Sequence, residues 1–146
     1  MVAFGGCQCG RVRYAVAIDA GEAYLCHCRM CQRATGGVCA ALVQVRKDSV
    51  TWLQSEPDRF RSSPIATRGF CVACGTPLTY EGDASEHLDL TVGSFDEPGR
   101  LHPVGNFGVE SRHEAWIDTA RLPSKRTDEL PNIVAAWRDA GGNLPD

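Results

Sequence analysis

Apolar and polar positions alternate most clearly at Val12, Tyr14, Val16 and Ile18 against Arg11, Arg13, Ala15 and Ala17, the period-two pattern of a half-buried strand. Leu88, Leu90 and Val92 repeat it against Asp89 and Thr91, and residues 38–45, Val-Cys-Ala-Ala-Leu-Val-Gln-Val, read as a buried strand. Shorter strands are expected at residues 23–25, 50–53, 59–61, 67–70, 77–80, 106–109 and 115–117, with turns at 19–22, 55–58 and 96–99. Helical spacing is confined to two places. Residues 32–35 make one turn before Gly36-Gly37 stops it, and residues 131–140 carry Ile133, Val134 and Trp137 behind Pro131, with Gly141-Gly142 past the end. The pattern predicts a mainly β chain with a short C-terminal helix. No repeat, linker or low-complexity tract divides it, so one domain over residues 1–146 is expected.

Composition narrows the partners. The 146 residues include 15 basic and 18 acidic side chains, net charge -3, with no run of like charge that would form a nucleic-acid arm or a membrane patch. The start, Met1-Val2-Ala3-Phe4-Gly5-Gly6-Cys7, lacks the basic and apolar regions of a secretory signal, and no stretch approaches the roughly 20 apolar residues of a membrane span. The expectation is a cytoplasmic protein without nucleic-acid or membrane partners. Eight cysteines in a reducing compartment point to metal or catalysis rather than disulfides. An oxidised secreted framework is the alternative, and zinc content separates the two.

Seven of the eight cysteines fall into three motifs. Cys7-Gln8-Cys9-Gly10 and Cys71-Val72-Ala73-Cys74-Gly75 each place two thiols before a glycine, the tight turn of a metal knuckle, and four thiolates on two turns close a tetrahedral zinc site. Cys26-His27-Cys28-Arg29-Met30-Cys31 then leaves three sulfurs on one loop for a second metal. Its fourth position is open to water or a substrate thiol, or is closed by His27, Cys39 or another side chain. His27 between two ligands is expected to point away, and Cys39 in an apolar strand to pack as a small hydrophobe. Another partition, Cys28/Cys31 with Cys71/Cys74 as a ribbon, strands Cys7, Cys9 and Cys26. A metal-free Cys28/Cys31 redox pair is a third option.

These motifs, with Gln32-Arg33-Ala34-Thr35-Gly36 after the second and Phe70 and Thr76-Pro77-Leu78 around the third, resemble the glutathione-dependent formaldehyde-activating enzyme family over about residues 7–116. The resemblance implies an Mss4-like fold, a β-sheet framework with zinc knuckles. It implies a structural zinc on Cys7, Cys9, Cys71 and Cys74 and a catalytic zinc on Cys26, Cys28 and Cys31, two per chain. The implied activity is addition of the glutathione thiol to formaldehyde, giving S-hydroxymethylglutathione, a carbon–sulfur lyase reaction in reverse. Glutathione or another small thiol and a small aldehyde are the implied partners. The rival reading is a non-catalytic, zinc-stabilised Mss4-like binding module. One departure bears on substrate choice: many family members carry a histidine a few residues after a late proline, whereas Pro103 here is followed by Asn106, Phe107, Ser111, Arg112 and Trp116, with His113 out of register. His27 and His113 are candidates for protonating the new oxygen by residue type alone. Arg29, Arg33 and Arg112 are candidates for pairing with glutathione carboxylates.

Overall fold

A computed structural model describes residues 1–144. They fall into two compact units, Met1–His113 and a second from Glu114 onward. No helix among the described residues is long and apolar enough to cross a membrane.

The first unit contains two sheets. The smaller has the order β1-β2-β5, from Val2–Gly6, Arg13–Ala17 and Val50–Trp52, all antiparallel. The larger has seven strands: β3 (Glu22–Cys26), β4 (Ala40–Arg46), β6 (Asp58–Ser63), β7 (Ala66–Phe70), β8 (Pro77–Gly82), β9 (His87–Thr91) and β10 (His102–Phe107). Their order is β10-β3-β4-β9-β8-β7-β6. The mainly β framework with cysteine turns is therefore present.

One face of the larger sheet makes the main core. Val43 and Val45 of β4, Leu88 and Leu90 of β9 and Ala23 of β3 pack with Tyr14, Val16, Ile18 and Phe95. The Tyr14 ring meets Trp52 and Phe95 edge to face at 5.8 and 5.7 Å, and its hydroxyl bonds Ser94 Oγ at 2.8 Å. Residues 38–45 read as a continuous apolar run because β4 is central and covered on both sides. Ala40 and Leu42 point opposite to Val43 and pack with Cys31, Tyr24, Cys26 and Cys28. Strand alternation thus divides the sheet cleanly, with a dry core on one face and the second cysteine cluster on the other.

Several expectations change. Helix α1 spans Arg29–Thr35 rather than one turn at 32–35, so Cys31 lies in its first turn and not on a loop. Gly36 ends it as expected, its N–H bonding Gln32 O. The strand expected at 106–109 is β10, which starts earlier and ends at Phe107; it runs parallel to β3 on the sheet edge, where Pro103 breaks no ladder that a central strand needs. Strand β1 was not read from the pattern at all.

The second unit contains 3₁₀ turns at Glu114–Trp116 and Thr127–Glu129, and helix α2 (Pro131–Asp139). The short strand expected at 115–117 is therefore a 3₁₀ turn, closed by Ile117 N–H to Glu114 O at 3.1 Å. The terminal helix is where the pattern predicted it.

Candidate metal centres

The two knuckles of the first unit repeat one hydrogen-bond plan. In the first, Cys7 N–H bonds Val12 O at 3.0 Å and Gly10 N–H bonds Cys7 O at 3.1 Å; in the second, Cys71 N–H bonds Thr76 O at 3.0 Å and Gly75 N–H bonds Cys71 O at 2.7 Å. Both turns need a left-handed residue, and Gly10 (φ 81) and Gly75 (φ 78) supply it. The turns are tied to each other by Gln8 N–H to Thr76 Oγ1 at 3.1 Å. Arg11 forks onto Asp58 at 2.6 and 3.3 Å, while Asp58 also accepts from Val72 N–H at 3.0 Å. All four thiols, Cys7, Cys9, Cys71 and Cys74, lie within 4.8 Å of one another.

A metal bound tetrahedrally at about 2.3 Å from sulfur requires S–S separations of roughly 3.8 Å. Cys9 and Cys71 stand at 3.8 Å and Cys7 and Cys9 at 3.5 Å, so this donor set fits such an ion. The thiols hold protons unequally: a hydrogen bond from the Thr76 side chain, then its backbone, draws Cys74 down to about 5. Cys9 is pushed up to about 11; the Arg11 backbone bond acts to lower it, and the Cys7 side chain and burial outweigh that bond.

The second cluster is assembled differently. Cys26 ends β3, Cys28 caps α1 by accepting from Cys31 N–H at 3.3 Å, and Cys31 is buried in the helix's first turn. Their thiols also lie within 4.8 Å of one another. Gly108, in left-handed conformation (φ 62), lets the end of β10 pass over Cys28; a Cβ there would stand 2.8 Å from Cys28 N. Buried Arg68 donates to Cys31 Sγ at 3.2 Å and lies over the Tyr80 ring at 4.9 Å. Burial is the largest cause that pushes Cys26 up to about 12. Three thiolates holding a divalent ion would carry one net negative charge, which the Arg68 guanidinium would offset.

These three sulfurs open into a cavity of about 360 Å³ lined by Tyr24, Met30, Leu42, Gln44, Arg68, Tyr80 and Phe107. His27 is not part of it. Its ring is fully buried, with Nε2 2.8 Å from Asn106 Oδ1, and it points away as expected. Cys39 is likewise outside both thiol groups. His113 Nε2 lies 3.3 Å from Gln32 Oε1, to which Arg29 also donates, and Gln32 Nε2 bonds His27 O and Ser111 O at 2.6 and 3.0 Å. This network braces α1 against the segment after β10.

The profile of a protein family described as "Glutathione-dependent formaldehyde-activating enzyme" matches residues 2–111. The chain belongs to this family. Both thiol groups of the formaldehyde-activating family member lie inside the matched span, and the C-terminal helix lies beyond it. A crystal structure of a Rhodobacter sphaeroides protein is similar at 22% identity, TM-score 0.58, covering 70% of this chain and 98% of that one, a likeness of fold. No curated protein matches.

Proposed function

We propose that this chain is a zinc-dependent carbon–sulfur lyase that joins the glutathione thiol to formaldehyde as S-hydroxymethylglutathione, with two zinc ions per chain. Cys7, Cys9, Cys71 and Cys74 hold the structural ion, and Cys26, Cys28 and Cys31 hold the second. The observation that carries this reading is the contrast in surroundings. The quartet offers four sulfurs to one ion and is closed, whereas the trio offers three beside a 360 Å³ cavity. When bound there, zinc supplies a Lewis acid that keeps a substrate thiol deprotonated at neutral pH. The protein does the remaining work. Arg68 balances the trio's charge, while Tyr24, Leu42, Tyr80 and Phe107 exclude water and hold thiol and aldehyde in contact, converting a two-body encounter into an oriented one. The cytoplasm, where glutathione is kept as the thiol, is the compartment this chemistry requires.

The test is the rate of adduct formation from glutathione and formaldehyde, read by exchange NMR with zinc-loaded protein. Wild type accelerates it above the spontaneous rate, and Cys28→Ser returns it to that rate while the four-sulfur ion stays. No acceleration by protein with both sites loaded overturns the enzyme reading and leaves a zinc-stabilised binding module.

A further inference from the structure

The cavity beside the trio is larger than formaldehyde needs. Formaldehyde has two non-hydrogen atoms, and a group the size of a water fills about 30 Å³, whereas an apolar cavity of about 150 Å³ holds a whole benzene molecule. The thiol cavity measures about 360 Å³, within the roughly 300–1,000 Å³ of pockets that enclose whole small organic molecules. Most of that space therefore belongs to something other than the reacting carbon and oxygen.

The walls say what that something is. Strand order sets Leu42 of the central β4 as the floor, with Tyr24 of β3 and Phe107 of β10 on one side of it and Tyr80 of β8 on the other. Tyr24 and Phe107 meet edge to face at 5.0 Å, which steadies that wall. Leu42, Cys31 and Arg68 are buried, while Met30 and Phe107 are 53 and 58% exposed, so Cys31 and an apolar floor lie deep and an apolar rim faces solvent.

Glutathione matches these walls only through its thiol arm. The tripeptide carries two carboxylates and an ammonium, and each costs heavily to desolvate without a partner. Among the described residues that line the cavity the sole cation is Arg68, whose guanidinium is directed at Cys31 Sγ, 3.2 Å away, and at the Tyr80 ring; none is a carboxylate. The charged ends of glutathione thus stay outside the rim, and the apolar space is left for the side group of the aldehyde.

We infer that this site also takes apolar aldehydes much larger than formaldehyde, holding a side group of about six carbons, the size of a benzene ring, against Leu42, Tyr24, Tyr80 and Phe107. This rests on the lyase reading above. The step is the same and it balances: the thiolate sulfur adds to the aldehyde carbon, the carbonyl π pair moves to oxygen, and the proton released by the thiol reaches that oxygen through solvent at the rim. Nothing is oxidised or reduced.

The test has a binding arm and a rate arm, both on zinc-loaded protein. S-methylglutathione copies the size of the formaldehyde adduct, S-hexylglutathione that of a six-carbon adduct, and S-(5-carboxypentyl)glutathione the same length ending in a charge. A single methylene in an apolar pocket is worth roughly tenfold or more in discrimination. Calorimetry is therefore expected to find S-hexylglutathione at least about tenfold tighter than S-methylglutathione, and the carboxypentyl analogue no tighter than S-methylglutathione. Phe107→Ala, at an exposed rim position, narrows the hexyl-to-methyl ratio, with zinc content and circular dichroism confirming a folded, loaded protein. In the rate arm, wild type accelerates adduct formation between glutathione and hexanal above the spontaneous rate for that aldehyde. Equal hexyl and methyl affinities, tight binding of the carboxypentyl analogue, or a ratio that Phe107→Ala leaves unchanged overturns the inference. So does acceleration with formaldehyde and none with hexanal, and there the lyase reading stands. Acceleration with neither aldehyde overturns both.

Discussion

The two cysteine clusters use the same side chain for opposite ends. The quartet draws its sulfurs from turns more than 60 residues apart in sequence, Cys9 and Cys71 being separated by 62, and each turn repeats the other's hydrogen bonds. The trio draws its sulfurs from six consecutive residues, already held by a strand end and a helix cap. Joining distant turns constrains the chain, so the quartet adds to the fold. Gathering neighbours constrains little, so the trio is held by the fold, which is what the proposed open coordination position requires. The surroundings follow the same division: Cys7 and Cys71 pack with Val12 and Leu78 in a small core, and the trio faces a cavity.

Breaking the quartet has the largest expected effect. Structural zinc in small proteins is worth about 10–16 kcal/mol of apparent binding free energy. Cys71→Ser loses the ion and the native fold with it, which far-ultraviolet circular dichroism reads as a collapse of the strand signal at ambient temperature. A folded Cys71→Ser protein would erase the contrast. Breaking the trio is expected to spare the fold. Cys28 is the N-cap of α1, and serine is among the best residues at that position. Cys28→Ser therefore loses one zinc per chain and the adduct chemistry, while its melting temperature stays near wild type.

Arg68→Gln sharpens the comparison further. It removes a buried cation that donates to Cys31 Sγ at 3.2 Å. A hydrogen bond to a charged group contributes about 1.5–3 kcal/mol, so zinc affinity at the trio is expected to fall at least about tenfold in a chelator competition, with the quartet unaffected. The smallest effect comes from a pair of glycines. Gly10→Ala and Gly108→Ala share a left-handed backbone, which costs roughly 1 kcal/mol without a clash. Nothing lies within 4 Å of a Cβ at Gly10, but one at Gly108 meets Cys28 N at 2.8 Å. Gly108→Ala is therefore the more destabilising of the two in urea titration, and it alone lowers metal occupancy of the trio.

Much of this was readable from the chain because local rules and tertiary structure agree there. Tyr14, Val16, Leu88 and Leu90 alternate and are buried, and the cysteine–glycine spacing of both knuckles was recognisable without any knowledge of their partners. Where pairing is non-local the reading failed. Strand β1 has no alternation, since Gly5 lies where a Cβ would collide with Ser94 O and Tyr14. Strand β10 earns its place by lying beside β3, a parallel partner far away in sequence. Asp89 is the instructive miss. It alternates with Leu88 and Leu90 as a solvent-facing residue would, and only the position of β9 between β4 and β8 leaves it buried.

The central claim is that the trio leaves a position for a substrate thiol and the quartet does not. Zinc-edge X-ray absorption on protein with both sites loaded reads it directly, as the mean number of sulfur neighbours per zinc before and after glutathione. The number is expected to rise on adding glutathione to wild type and to stay unchanged in Cys28→Ser. A wild-type spectrum that glutathione does not alter would mean that both clusters are closed, and would contradict the account.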